Sequence, residues 1–372
     1  MRYRRLLPFY LTLALAVILA AGAHAQPAPQ TTPALAACGT THGNVEILCG
    51  THAPEDLEPT PDGKYLIVAQ FEHADSMGKG HGIALFDIAA KTFIPMPVTV
   101  APHADWGSPS CPGPMGDGLV AHGISLTKRT GGLLELYVIN HNRRESMEMF
   151  EVKHEGAGWA LVWHGCVVSP KEYNDVAALP DGGFLASHPT ALMTDLKDDL
   201  LRYSGKPIGY VVRWTRSGGE QELPGTRVGY PNGILASPDG RFMYLDAWTA
   251  REVHQYDLKQ SRDMRAVPVQ FMPDNISWID PKLNRGIKTP LILAAGVKGA
   301  ENNQCPAGSG HLCAQQFGVA EIDARTMKTR LVYESPADDP LIAGASVAVE
   351  VGNSIYIGAY QGDRLLKINL KK

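Results

Sequence analysis

The chain has 372 residues and a formal net charge of −4, with 38 acidic against 34 basic side chains, room for two average domains or one large β architecture. Beyond Arg2, Arg4 and Arg5 it carries no basic tract, which excludes the electrostatic footprint of a nucleic-acid binder. Six cysteines in a chain that opens like an exported one point to disulfides rather than thiol chemistry.

The first 25 residues read as a signal peptide: a basic start, an apolar run through Ala21, and the small-x-small site Ala23-His24-Ala25. Cleavage after Ala25 leaves Gln26 as the new N-terminus and no stable membrane anchor. An uncleaved anchor is the rival reading, because the run is near the lower limit of a spanning helix. Residues 26–37, rich in Pro, Ala, Thr and Gln, read as a disordered leader, and 38–372 as one domain. Sequence proximity pairs Cys38 with Cys49 and Cys305 with Cys313, leaving Cys111 with Cys166, free thiols being the alternative.

One hairpin then recurs. "PEDLEPTPDGKYLIVAQ" (54–70) has a polar pair, a strand, Pro-Asp-Gly and a second strand, a turn signal suited to antiparallel pairing. "AHGISLTKRTGGLLELYVINH" (121–141) turns at Gly131-Gly132; "YNDVAALPDGGFLASH" (173–188) and "YPNGILASPDGRFMYLDAWT" (230–249) return to Pro-Asp-Gly. "DNISWIDPKLNRGIKTPLILAA" (274–295) has a longer turn, and "GASVAVEVGNSIYIGAY" (344–360) turns at Gly352-Asn353. The six starts lie roughly 40 to 75 residues apart, the spacing of four-stranded propeller blades. Runs at 83–86, 147–150, 211–214 and 253–256 supply third or fourth strands. The best helical pattern is short, at 192–203. The expected fold is all-β, a six-bladed β-propeller with a central channel. A pair of β-sandwiches would give Pro-Asp-Gly turns without any rule for what precedes the strand.

That rule is the functional signal. The residues before the six strands include Glu55, Asp56, His122, Asn174, Asp175, Asn232, Asp274 and Asn275, and in a propeller the starts of the innermost strands form a ring around the channel. Any one Asn or Asp there is most simply a turn residue bonding its own backbone. Recurring together, four carboxylates, three amides and one imidazole with no Lys or Arg among them call for a cation. Calcium prefers such oxygen donors; zinc does not, and HExxH and paired CxxC motifs are missing.

Seven segments occur in order: "EDLE" (55–58), "HGIS" (122–125), "VINH" (138–141), "NDVAALPDGGFLAS" (174–187), "NGILASPDGRFMYLDA", "DNIS" and "GASVAVEVGNSIYIGA". With them the chain resembles the paraoxonase family of calcium-dependent six-bladed propellers, and more distantly the gluconolactonase and strictosidine-synthase-like propellers, over most of the mature chain, roughly 54–370. The resemblance implies two calcium ions. Glu55, Asn174, Asn232, Asp274 and Asn275 would hold a catalytic one; Asp56, Asp175 and the backbone carbonyl of Ile124 a structural one. It implies a His122–His141 dyad, the first activating water and the second orienting it. It implies hydrolysis of a lactone or activated aryl ester as the activity and a small-molecule substrate as the partner; the signal peptide implies a periplasmic or secreted location.

No serine nucleophile competes with that chemistry, because Gly344-Ala345-Ser346-Val347-Ala348 fails the G-x-S-x-G pattern at its last position. "GKGHG" (78–82) lacks the trailing GK[ST] of a phosphate loop and reads as a mobile loop. The insertions at 103–118 and 301–316, and the segment after Ser187, depart from the family where substrate contacts are expected. No cysteine lies beyond Cys313, so strand pairing has to close the ring without the family's disulfide between first and last blades. The alternatives are a calcium-stabilised propeller that binds a protein or glycan without chemistry, and a gluconolactonase-like sugar-lactone hydrolase.

Overall fold

In a computed structural model of the chain, residues 35–72, 79–156, 158–189, 204–284, 287–299, 314–336 and 341–370 are described. All of them belong to one unit, Pro33–Lys372. They form strands and turns with no helix among the described residues. The signal peptide, the pattern at 192–203, and Cys305 with Cys313 lie outside them.

Six sheets, antiparallel except for one parallel outer strand in the second, follow one another along the chain. Their innermost strands are β3 (Pro54–Pro59), β8 (Ala121–Lys128), β12 (Val176–Ala178), β16 (Pro231–Ala236), β20 (Met272–Trp278) and β24 (Ala345–Val351). These are the six strands expected after the polar prefixes; four of them, β3, β8, β16 and β20, include the prefix residues in their opening positions, and β12 starts just after Asp175. The runs expected as outer strands are all third strands: β5 (Ile83–Asp87), β10 (Ser146–Glu155), β14 (Tyr210–Thr215) and β18 (Glu252–Asp257). The six-bladed all-β propeller is therefore the architecture found.

The second strands explain why the apolar runs are continuous rather than alternating. In β4 (Tyr65–Gln70), Leu66 and Val68 pack toward the sixth blade while Ile67 and Ala69 pack toward the second. Six apolar clusters fill the six seams between neighbouring blades in this way. A strand buried on both faces needs both side-chain rows apolar.

The sixth sheet is built from both ends of the described chain. Strand β2 (Val45–Cys49) pairs antiparallel with β26 (Arg364–Asn369), from Val45 opposite Ile368 to Cys49 opposite Arg364. Ring closure thus rests on backbone pairing, as expected. Two disulfides are present, Cys38–Cys49 and Cys111–Cys166. The first closes the β1 (Thr41–His42) hairpin onto β2. The second pins the 103–118 insertion against the second blade, to which β7 (Val98–Val100) adds as a parallel outer strand beside β11 (Gly158–Val168). Structural disulfides of this kind belong to an oxidising compartment.

Candidate active site

The polar prefixes are not regular strand. The pairing register shifts between Pro54 and Asp56, Ala121 and Ile124, Pro231 and Ile234, Pro273 and Ile276, and Ala345 and Ala348. The same bulge therefore opens five inner strands, which frees residues of low strand propensity from the ladder and re-aims their side chains. The glycine that follows His122 and Asn232 has a separate cause. A Cβ on Gly123 would lie 2.5 Å from Asp175 Oδ1, and one on Gly233 would lie 2.6 Å from the Asp274 carbonyl oxygen. Each glycine lets the next blade's prefix approach the backbone.

The bulges bring the prefix side chains together. Glu55, Asp56, His122, Asn174, Asp175, Asn232, Asp274 and Asn275 are all buried. Asn275 of the fifth blade donates from Nδ2 to Glu55 Oε1 of the first at 2.7 Å. Asp56 accepts from Leu57 N at 2.8 Å and, across the seam, from Ile124 N at 2.7 Å. Asp175 repeats the pattern one blade pair later, accepting from Val176 N and Ile234 N, both at 2.7 Å. Ser346, in the sixth prefix, gives its hydroxyl to the Glu55 carbonyl at 2.6 Å.

The histidines form a line. His122 Nδ1 lies 2.9 Å from His141 Nε2, and His141 Nδ1 lies 2.6 Å from Glu145 Oε2. Asn140, fully buried, shapes the turn that carries His141 and Glu145. Its Oδ1 accepts from Val120 N and Asn142 N, while its Nδ2 donates to the Asn142 and Arg144 carbonyls. A carboxylate accepts only, so His141 presents Nδ1–H to Glu145 and a lone pair at Nε2. His122 then donates from Nδ1 and keeps a lone pair at Nε2, which faces Glu55 Oε1 at 3.8 Å. Burial, and then the neighbouring His141, hold His122 well below its ordinary value, so the ring is neutral near pH 7. Phe71 stacks on His122 with ring centres 4.2 Å apart.

Whether the ring suits a cation is tested by its loose ends. Glu55 Oε2 and the Oδ1 atoms of Asn174, Asn232 and Asn275 are buried without a hydrogen-bond partner among the described residues. Buried polar oxygens are rarely left so. Burial, then Asp56, Asp274 and Asp175, push Glu55 well above the usual carboxylate range. Asp175 is raised likewise by burial and Asp56, and burial lifts Asp56 and Asp274 to about 7. All of these orphaned acceptors are hard oxygens, the set that calcium takes. The residues fit the ion.

That electrostatic state predicts an inverted stability profile. Carboxyls raised from 3.8 to about 7 on folding make the native chain hold protons that the unfolded chain has released. Their stabilising effect is complete below the unfolded value and is lost as pH rises through the folded one. In protein freed of divalent cations by chelation, the Tm is expected to fall between about pH 5 and about pH 8, with excess calcium removing the fall. A chelated protein that gains stability over this interval would contradict the account.

Sequence reasoning missed four contributors. Glu145, four residues after His141, had the spacing of a partner but not the context. Phe71 and Ser346 carried no chemical signal. Asp246, in β17 (Phe242–Ala247), is fully buried with neither carboxylate oxygen partnered among the described residues, and is raised by burial, Asp274 and Asp175. Nothing in a mid-strand position announces such a group. Two surface cavities of about 460 and 650 Å³ are lined by none of the ring residues.

The sequence model of the arylesterase family matches residues 112–362, more than half of the chain. The chain belongs to the arylesterase family. Human serum paraoxonase/arylesterase 1 is 24% identical over 168 residues, which cover 43% of this arylesterase-family chain and 46% of the human protein, so less than half of that relative's length is matched. Among solved structures, a gluconolactonase of Xanthomonas campestris is similar at 14% identity and a TM-score of 0.48, covering 91% of this chain and 95% of its own. A virginiamycin B lyase of Staphylococcus aureus is similar at 12% identity and a TM-score of 0.46, covering 88% and 99%.

Proposed function

We propose that this member of the arylesterase family is an exported calcium-dependent hydrolase of lactones and activated aryl esters. The observation that carries the reading is the line Glu145–His141–His122, which ends on a free Nε2 beside a ring of unpartnered oxygens. Glu55, Asn174, Asn232, Asp274 and Asn275 would hold the catalytic ion; Asp56, Asp175 and the Ile124 carbonyl would hold the structural one. Calcium bound there would supply Lewis-acid polarisation of a substrate carbonyl.

The chain's own residues do the rest. His122 Nε2 takes a proton from the attacking water, which its neutral state permits. His141, fixed by Glu145, holds that tautomer and shares the charge that develops. Phe71 covers the imidazole face and keeps bulk water from it. Cleavage of the signal peptide after Ala25 and release to the periplasm or exterior agree with the two disulfides.

The test is hydrolysis of a γ- or δ-lactone and a phenyl ester by purified protein, with and without EDTA. Turnover that disappears with chelation and returns with calcium is expected. A calcium-loaded protein inert on both substrate classes would overturn the enzyme reading and leave a calcium-stabilised binding propeller.

A further inference from the structure

Two imidazoles and a carboxylate meet at the rim of the first blade. His52 Nδ1 lies 2.6 Å from Glu72 Oε2, His81 Nε2 lies 3.5 Å from the same oxygen, and the two imidazole rings stack with centres 3.7 Å apart. Among the described residues, only two trios of His, Cys, Asp or Glu bring their ligating atoms all within 4.8 Å of one another: this one and Cys38, Cys49 and Asp363. The second trio offers no thiolate, because its cysteines are joined in a disulfide.

The backbones of the rim trio are held by the ends of the sheet. Pro54 pairs with Gln70, Phe71 N donates to the Ala53 carbonyl at 2.9 Å, and the Gln70 side chain donates to the His81 carbonyl at 3.0 Å. His52 and Glu72 therefore face each other as the next cross-strand pair, with His81 on the neighbouring segment. Their side chains are 46%, 53% and 28% exposed, and one ligating atom from each already lies within 4.8 Å of the other two.

We propose that His52, Glu72 and His81 form a site for a borderline divalent cation of the zinc class, separate from the calcium ring. Two imidazoles and one carboxylate are the donor set of an open zinc site, with a fourth position left for water. Calcium does not compete for it, since imidazole nitrogen is a poor ligand for a hard cation. The site lies beside the dyad: Glu72 follows Phe71, whose ring stacks on His122 and meets His141 edge-on at 5.8 Å. An ion held there would anchor Glu72 and, through it, the aromatic cover of His122.

The experiment is a zinc titration by calorimetry of the full chain, prepared without a polyhistidine tag and saturated with calcium so that the ring is filled. One further zinc per chain is expected. His52→Ala and His81→Ala should each weaken it at least about 10-fold, Glu72→Gln should weaken it too, and His103→Ala, at an exposed histidine elsewhere, should leave it unchanged. Cobalt(II) in the same protein should give the visible absorption of a four-coordinate site, lost in the His52→Ala/His81→Ala double variant. Zinc bound equally by wild type and that double variant, or no zinc bound at all, would overturn the proposal whether or not the protein hydrolyses esters. Unchanged calcium-loaded Tm values establish that the variants are folded.

Discussion

Replacing Asp56 by alanine is expected to remove most of the soluble protein before any assay of activity is possible. Asp56 joins two blades, taking Leu57 N from its own and Ile124 N from the next. Truncation leaves both buried donors without a partner, at about 1–3 kcal/mol each, and takes a ligand from the proposed structural ion. A fold stable by about 5–15 kcal/mol tolerates little of that. Asn232→Ala is the contrast. Its Oδ1 has no protein partner to lose, although its amide also bonds Asp274. It should reach the soluble fraction at close to wild-type yield and lose far more in kcat/KM than in Tm. Soluble yield and thermal melts of the two variants side by side decide the matter. Equal yield from Asp56→Ala would contradict the structural role.

His122→Gln should lower kcat by about 10²–10⁴, the usual share of a general base, while leaving calcium affinity near wild type. The ring's oxygens are supplied by other residues, and the imidazole touches the ring only through Glu55 at 3.8 Å. His141→Gln should cost less, because His141 acts through His122 rather than on the substrate. Its signature is a moved acid limb in the pH profile of kcat/KM, since burial and His141 together set the low value of His122. A merely structural His141 would change Tm and leave that limb in place. Activity surviving both substitutions would remove the dyad from the mechanism and keep the metal.

The blades were legible because three constraints fall on neighbouring residues. A tight turn demands Pro-Asp-Gly, a strand buried on both faces demands an unbroken apolar run, and the channel end demands a polar prefix. Asn232 is the clearest case: a poor strand starter, placed in a bulge where the ladder makes no claim on it. The glycine after it was visible too, but its cause was not, because only the ring brings Asp274 against Gly233. Asp246 and Ser346 stayed hidden for the same reason. Each looks like an ordinary strand residue, and its role comes from a neighbouring blade. The parallel strand β7 was equally out of reach, since parallel pairing leaves no turn between partners. Cys38–Cys49 was read by proximity and Cys111–Cys166 as the pair left over, and both are found as read.

The pairing of β2 with β26 has a consequence for how the molecule is made. Asn44 and Asn369, which bond at the end of that pair, are 325 positions apart. During synthesis from the N-terminus, β2 exists long before the segment that will cover it, with one edge bare. The β1 hairpin and its cysteine cross-link can shield the other edge in the meantime, so oxidation of Cys38 and Cys49 is useful early. The last seam, between β24 and β3, can tighten only when the newest residues have arrived, and it carries the Ser346–Glu55 contact with it. A chain lacking β26 would therefore have nearly every blade complete and β2 without its partner.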